Sequence, residues 1–404
     1  QLKGHITSSL FTEGGSRFYD KSALYHSQGE RSFNTSAGQF RIGGNVRIYT
    51  PNSAGTIFSD TSGVVIRNYE GGIYGGWEQF YLDEKLKTSI TARLDKNQNF
   101  QPLLSPAASV VYKANENHTL RFSLSSAIRN PTLADQYLYY NVGRAVLLGN
   151  LNGFDSLVTI DNIVDYLGKP GAERLTHDFG YFDIDAIRPE RVRTAEVGWR
   201  ATLFNRVFVD ANYYYSNYND FIGYVIGAKI VEGTTAIDRL KEVQVYRIAA
   251  NATEQVTTQG FSIGLNTFLG DYHSLSGNYS WNKLTSDVND PIVPAFNTPE
   301  HKFNIGWNLR NYAINNKEML LGAGVNYKWV EGFLFEGSPQ FTGSISSYGL
   351  LDAQCSLTKE YLINKTETTI TYKIGSSNAL NNQVYQVFGG PLVGRLAYLS
   401  IQIN

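Results

Sequence analysis

The sequence predicts an all-β protein, a transmembrane antiparallel up-and-down β-barrel with about 14–16 strands in this chain, and three observations carry the prediction. From about residue 38 to residue 404, apolar and polar side chains alternate with period two in one segment after another, which puts the two kinds on opposite faces of a sheet. The connections between these segments alternate in length, as they do in outer-membrane barrels, where periplasmic turns are short and extracellular loops longer. Hydrophobic residues make up 42% of the chain, yet no stretch approaches the roughly 18 consecutive apolar residues of a membrane helix.

Residues 1–37, rich in Ser and Gly, read as an irregular segment or one further hairpin. Strands are then expected near 38–50, 71–82, 85–95, 104–114, 117–127, 189–203, 206–221, 253–268, 271–284, 298–310, 318–331, 345–358, 366–375 and 393–404. In the third of these, Leu86, Thr88, Ile90, Ala92 and Leu94 share one face, and Lys87, Ser89, Thr91, Arg93 and Asp95 share the other. Further along, Val207, Val209, Ala211, Tyr213 and Tyr215 oppose Asp210, Asn212 and Ser216. Near the end, Leu321, Ala323, Val325, Tyr327 and Trp329 oppose Gly322, Gly324, Asn326 and Lys328. A polar face repeated over so many strands implies a wet interior, which excludes a soluble sandwich with its dry core.

Short links fall at about 82–85, 114–117, 203–206, 268–271, 310–318 and 358–366, and long ones at about 50–71, 128–188, 221–252, 284–298, 331–345 and 375–393. This ordering makes the carboxyl end periplasmic, and an even strand count would start the set on the same side. The barrel would occupy 38–404 as one domain, with the large extracellular loop at about 128–188.

Composition narrows the class further. Twenty-seven Tyr dominate the aromatic residues, and Tyr suits a membrane–water boundary, ring in lipid and hydroxyl in water. A net charge of −1 argues against a nucleic-acid binder, which would need a basic face. Cys355 has no partner for an intramolecular disulfide and reads as a quiet wall residue on the face of Leu351 and Leu357. The sequence starts at Gln1, and its single Met is Met319, so a chain processed, trimmed or incompletely represented at its start is expected.

Two segments go beyond architecture. Arg121-Phe122-Ser123-Leu124-Ser125-Ser126-Ala127-Ile128-Arg129-Asn130-Pro131-Thr132 resembles the strand-to-loop passage of TonB-dependent outer-membrane receptors, which ends in Arg-Asn-Pro-Thr or a close variant. Ile187-Arg188-Pro189-Glu190, followed by the strand with Glu196-Val197-Gly198-Trp199, is similar to that family's Leu-Lys-Pro-Glu segment and the strand after it. Phe208–Tyr215, leading to Asn219-Asp220-Phe221-Ile222, resembles the next strand and its exit. Ser105-Pro106 and Glu116-Asn117-His118 most resemble receptors of Bacteroidetes type. The resemblance covers about 38–404 and implies the carboxyl-terminal part of a 22-stranded barrel. The amino-terminal plug and the TonB-contacting segment of the family are not recognisable, and the ending Ile401-Gln402-Ile403-Asn404 lacks the terminal aromatic residue common there.

Chemical motifs are few. Gly260-Phe261-Ser262-Ile263-Gly264 fits the Gly-x-Ser-x-Gly pattern, but that nucleophile needs a strand-to-helix elbow, and here alternation continues straight through it. The six histidines show no metal-ligand spacing, and Asp178, Asp183 and Asp185 lack that of a calcium loop. His118 and His273 fall beside short turns, which suits solvated or interfacial roles. Arg188, Arg191 and Arg193 divide between faces, with Arg193 expected near the rim, its guanidinium reaching up to water. No catalytic, cofactor or metal site is expected, and no enzyme. The large loop is the best functional candidate, because a connection of this length usually carries function. Within it Arg129, Asn130, Tyr137, Tyr139, Tyr140, Arg144, Asn152 and Asp155 offer rings, amides and charges for a substrate or partner. Asn150 and Phe154 lie among them, and Ala145-Val146-Leu147-Leu148 suits packing against a plug, a partner or other loops.

The resemblance implies an outer-membrane receptor that takes up a nutrient (siderophore, glycan, peptide or similar), with outer-membrane lipid around it and the TonB complex as energy source. A scaffold subunit gripping a surface lipoprotein, or a passive pore, are the alternatives.

Overall fold

The computed structural model describes residues 2–143, 145–233, 240–285, 292, 296–315, 318–337, 342–363 and 366–404. Fifteen strands form one antiparallel sheet whose spatial order follows the chain. They are β1 (Ala23–Thr35), β2 (Gly38–Thr50), β3 (Asn68–Tyr81), β4 (Leu86–Asn97), β5 (Leu103–Asn115), β6 (His118–Arg129), β7 (Glu190–Leu203) and β8 (Val207–Asn219). The sheet continues through β9 (Val256–Leu269), β10 (His273–Thr285), β11 (His301–Ile314), β12 (Met319–Val330), β13 (Tyr348–Ile363), β14 (Thr366–Ser377) and β15 (Leu396–Ile403). Every one of the fourteen expected strands is present, and β1 is added. The odd count corrects one expectation: the set starts at the long-loop end, opposite to where it finishes.

The two faces separate as the alternation demands. One row of cross-strand partners runs Trp77, Ile90, Ala108, Leu124, Ala195, Tyr215. The next runs Val110, Phe122, Val197, Tyr213, Phe261, Trp281. Ile73, Leu104 and Ile305 on this face are each about 60% exposed or more, which water would penalise and lipid would not. Cys355 lies on it between Ala323 and Ile374. The opposite face is polar. There Asp210 accepts from Arg121 (2.5 Å) and Arg200 (2.7 Å), and Asn304 donates to Asn278 (3.0 Å). Ser262 lies mid-strand on this side and donates to Asn212, so the Gly-x-Ser-x-Gly stretch is wall and has no elbow.

At the short-turn end, Phe204 and Asn205 take left-handed backbone (φ 51° and 53°) to reverse the chain between β7 and β8. His118 stacks on Trp199 and His273 on Trp307 at this level, amphipathic pairs suited to a membrane boundary.

Apolar burial is concentrated outside the wall. The hairpin Ile222–Glu232/Leu240–Asn251, above β8 and β9, joins Ala145–Leu148 and Tyr139–Asn141 of the large loop in a four-stranded sheet. Ala145–Leu148 runs parallel to the second hairpin strand, so of its three expected packing partners it takes another loop. Leu157, Val158, Ile248, Tyr166 and Phe179 are at most 1% exposed, and burying each such side chain stabilises by roughly 1.5–3 kcal/mol. The helix Ile160–Gly168 packs Ile163 and Tyr166 on Val158, Phe179 and Ala228, and Thr159 caps it by accepting from Asn162 N (3.2 Å). The large loop and the hairpin thus fold as one capping unit.

Candidate functional site

Where the chain leaves β6, each residue of Arg129-Asn130-Pro131-Thr132 has a separate task. Arg129 donates to Glu190 Oε2 (2.8 Å) and to the Ile222 carbonyl (3.0 Å). The same carboxylate oxygen accepts from Ile222 N (2.9 Å). The two segments distinguished in the sequence therefore meet, and Glu190, 5% exposed, is a buried anion satisfied by a guanidinium and a backbone amide. Asn130 donates to Glu70 Oε1 (3.1 Å). Pro131 ends the strand, and its carbonyl accepts from Gln136 Nε2 (2.7 Å). Thr132 caps the one-turn helix Leu133–Tyr137, accepting from Asp135 N while Asp135 Oδ2 accepts from Thr132 N, a reciprocal capping box.

Beneath this helix, on the polar face of β2 to β4, lies a recess of about 740 Å³. Its upper wall is amide-rich. Gln136 Oε1 accepts from Asn68 (3.0 Å) and Asn99 (2.8 Å), the Tyr137 hydroxyl accepts from Asn99 (2.7 Å), and Asn97 donates to Asn68 (2.8 Å) and Glu70 (2.9 Å). Glu70 also accepts from the Tyr49 hydroxyl (3.2 Å) and faces Arg47 at 4.0 Å. Lower down, Arg93 forks onto Asp95 (2.6–2.9 Å), donates to Asn45 (2.5 Å) and lies over the Tyr74 ring. A side chain at Gly72 would overlap both Arg93 and Asp95, so glycine there lets the pair lie flat on the wall. Two cations, Arg47 and Arg93, and two carboxylates, Glu70 and Asp95, line the recess, which suits polar, charge-bearing or chelating solutes.

Of the expected loop residues, Asn130 and Tyr137 belong to this recess or its roof, and Arg129 lies beside it in the Glu190 pair. Tyr140 packs edgewise on Phe11 and Phe18 of the opening segment. Tyr139 is half exposed in the loop sheet, Asn152 is exposed, and Asp155 faces Lys229 at 3.4 Å. Arg144 lies outside the described residues. Phe154 joins the Leu157–Ile248 cluster, and Asn150 is fully buried between loop and hairpin. The three loop aspartates separate: Asp178 accepts from Gly180 N, Asp183 from Ser156 N, and Asp185 pairs with Arg188. Glu70, Arg47, Arg93, Asp95 and the amides Asn68, Asn97 and Gln136 were not singled out by sequence. Asn45, Arg47, Arg93 and Asp95 do carry the alternation signal for the inner face, and that was the one clue to the recess.

The loop 51–67 is tied to the large loop by Ser59 N donating to the Tyr137 carbonyl (2.9 Å) and Tyr139 N to the Ile57 carbonyl (2.9 Å), and Asp60 organises it from within. Burial opposes ionisation of Asp60, but the Ser53 hydroxyl and the amides of Ser53 and Gly55 outweigh it and hold the carboxyl below its ordinary value.

The family model described as TonB dependent receptor-like, beta-barrel matches residues 4–370. The chain belongs to that family. It is accordingly an outer-membrane receptor barrel and not an enzyme. The solved structures similar to it include the siderophore receptor PirA from Acinetobacter baumannii (TM-score 0.59, 15% identity, covering 94% of this chain and 54% of that one). They also include the FrpB iron transporter from Neisseria meningitidis (F3-3 variant; 0.60, 12%, 94% and 54%). A mutant of the ferric enterobactin receptor from Pseudomonas aeruginosa matches as well (0.62, 13%, 94% and 53%). At such identities the likeness is one of fold. The chain spans about half the length of these structures. A search of curated proteins returned no match.

Proposed function

We propose that this receptor barrel serves active uptake of a hydrophilic nutrient across the outer membrane, energised through TonB. The recess below the Leu133–Tyr137 helix carries the reading: a polar, mixed-charge cavity at the long-loop end, on the face turned away from lipid. In this reading the fifteen strands are a contiguous, carboxyl-terminal share of a larger closed wall of Bacteroidetes type. Coverage of only about half of each similar solved structure supports a larger wall. Selectivity comes from Arg47 and Arg93 set against Glu70 and Asp95, and the solved relatives named for siderophore and iron transport make a metal chelate the first class to test.

The test is growth and labelled uptake in cells with and without the protein, on a ferric chelate, a cobalamin, an oligosaccharide and a short peptide. Uptake of one of them should depend on the protein, stop with a protonophore, and weaken about tenfold in Arg93→Ala, the loss of one charge-assisted contact. Steady large conductance of the complete protein in planar bilayers would instead indicate a passive pore.

One observation favours a second reading. The capping unit exposes Val164, Leu167 and Leu175, each more than half accessible, and a surface lipoprotein seated on them would make the barrel a scaffold. Co-purification of a stoichiometric partner without an uptake defect would select it.

A further inference from the structure

On the lipid-facing side of β4 to β8, residue size alternates across the row Ile90, Ala108, Leu124, Ala195, Tyr215. The two alanines leave hollows on either side of Leu124, and together with Pro106 they open a shallow apolar groove of about 550 Å³. Its upper rim is polar, formed by Ser126, Asn217 and Arg193.

Arg193 sits where an anionic headgroup would lie. On β7 the outward residues below it, Ala195, Val197, Trp199, Ala201 and Leu203, are all apolar. They rise about 20 Å at roughly 3.3 Å per residue and a tilt of about 40°, most of the roughly 25 Å apolar band of such barrels. Arg193 is the first charged outward residue above that band, at the long-loop end. Its cross-strand neighbours on this face, Ser126 and Asn217, are uncharged, and among the described residues no carboxylate pairs with it. Arg191, the next outward residue, pairs across to Ile128 and Asn219. Arg188, by contrast, is occupied by Asp185 and Asp220. An exposed guanidinium without a carboxylate, above an apolar groove and facing the membrane, has charge and shape complementary to one occupant.

We infer that this groove holds a phosphorylated lipid of the outer leaflet, one acyl chain lying in the hollows beside Leu124 and a phosphate on the Arg193 guanidinium, with Arg191 adding charge above. The planar guanidinium fits phosphate oxygens bidentately. Bulk lipid chains are as apolar as the groove, so the phosphate contact decides retention and the groove decides placement.

The protein extracted from its membrane in neutral detergent is titrated with diphosphorylated lipid A, with a phosphate-free analogue of the same acyl chains and with inorganic phosphate, and read by native mass spectrometry. Lipid A should be retained, the analogue about tenfold less, and inorganic phosphate should not displace it, since both parts of the lipid contribute. Arg193→Ala should lose about tenfold, Arg193→Lys should be intermediate, and Ala195→Leu, which fills one hollow, should lose about threefold. Arg200→Ala, on the opposite face, should match wild type. Heat-modifiable migration on gels shows that each variant is folded; if Arg193→Ala fails there, the Lys variant and the Ala195→Leu variant carry the test. Equal retention of the phosphate-free analogue, or wild-type retention by Arg193→Ala, or by both remaining variants, overturns the assignment.

Discussion

Asn150 is the side chain on which the two halves of the capping unit most depend. Its Nδ2 donates to the carbonyls of Asp185 (2.8 Å) and Ala249 (2.9 Å), while its Oδ1 accepts from Gly153 N (2.9 Å). The residue is fully buried, so water cannot replace what is lost. Asn150→Asp keeps the shape but turns a donor into an anionic acceptor aimed at two carbonyl oxygens, whereas Asn150→Ala leaves all three backbone groups without this partner. Removing hydrogen bonds so that buried groups are left unsatisfied costs about 1–3 kcal/mol each before relaxation. With some of that recovered by local shifts, we expect the unit to lose about 2–4 kcal/mol, more for Asp than for Ala. Where exchange follows the opening equilibrium, this corresponds to roughly 30- to 900-fold faster hydrogen exchange. The effect should appear at Ala145–Leu148 and along Ile222–Glu232 and Leu240–Asn251, while β3 to β8 exchange as in wild type. If loop amides changed by less than about threefold, or if wall and loop accelerated together, the claim that Asn150 locks a unit separate from the wall would be refuted.

Three further outcomes follow from the same structure. Phe122 and Ser123 are neighbours on opposite faces, so Phe122→Lys should cost about 2–4 kcal/mol in a vesicle refolding titration, whereas Ser123→Lys, facing Glu196 across the inner wall, should stay within about 1 kcal/mol. Because the Asp60 carboxyl is held below its ordinary value, its stabilisation is complete above pH about 4 and is lost as pH falls through the lowered value. Protease nicking within 51–67 should therefore rise in acid, and Asp60→Asn should flatten that dependence. Arg129→Ala strands the buried Glu190 carboxylate, which should cost about 2–5 kcal/mol at the loop base; Glu190→Gln, which can still accept from Ile222 N, should be milder by exchange at Ile222.

The strands were legible because each residue of a strand in a wall of this kind answers to a local solvent, lipid or water, and the sequence records that answer every second position. β1 escaped for the same reason. Its outward set is Tyr25, Ser27, Gly29, Arg31 and Phe33, polar at the centre, so no alternation marked it. The recess was less legible because its members lie far apart in sequence: Asn130 reaches Glu70, and Gln136 reaches Asn68. The resemblance segments were recognisable as words, but nothing local revealed that Arg129 and Glu190 bind each other. The loop rings were drawn into packing rather than grouped into a binding surface, since Tyr140 and Phe154 gain more from burial than from display.

The distribution of buried apolar groups has a physical cause. In the membrane the wall satisfies its apolar face with lipid and its backbone by cross-strand hydrogen bonds, so it needs no dry core. The loops stand in water, where a connection as long as 130–189 would stay mobile unless it buried its own apolar groups. The sequence meets that need with Leu157, Tyr166, Phe179 and Ile248, taken from two connections that neither could use alone. The unit so formed is tied to the wall at its base by the Arg129–Glu190–Ile222 junction, and through Asn130, Pro131 and Thr132 that junction is continuous with the roof of the recess. A ligand that shifts the Leu133–Tyr137 helix must therefore strain either the Glu70 contact or the base of the cap. Rearrangement on binding is expected there first, ahead of any change in the strands.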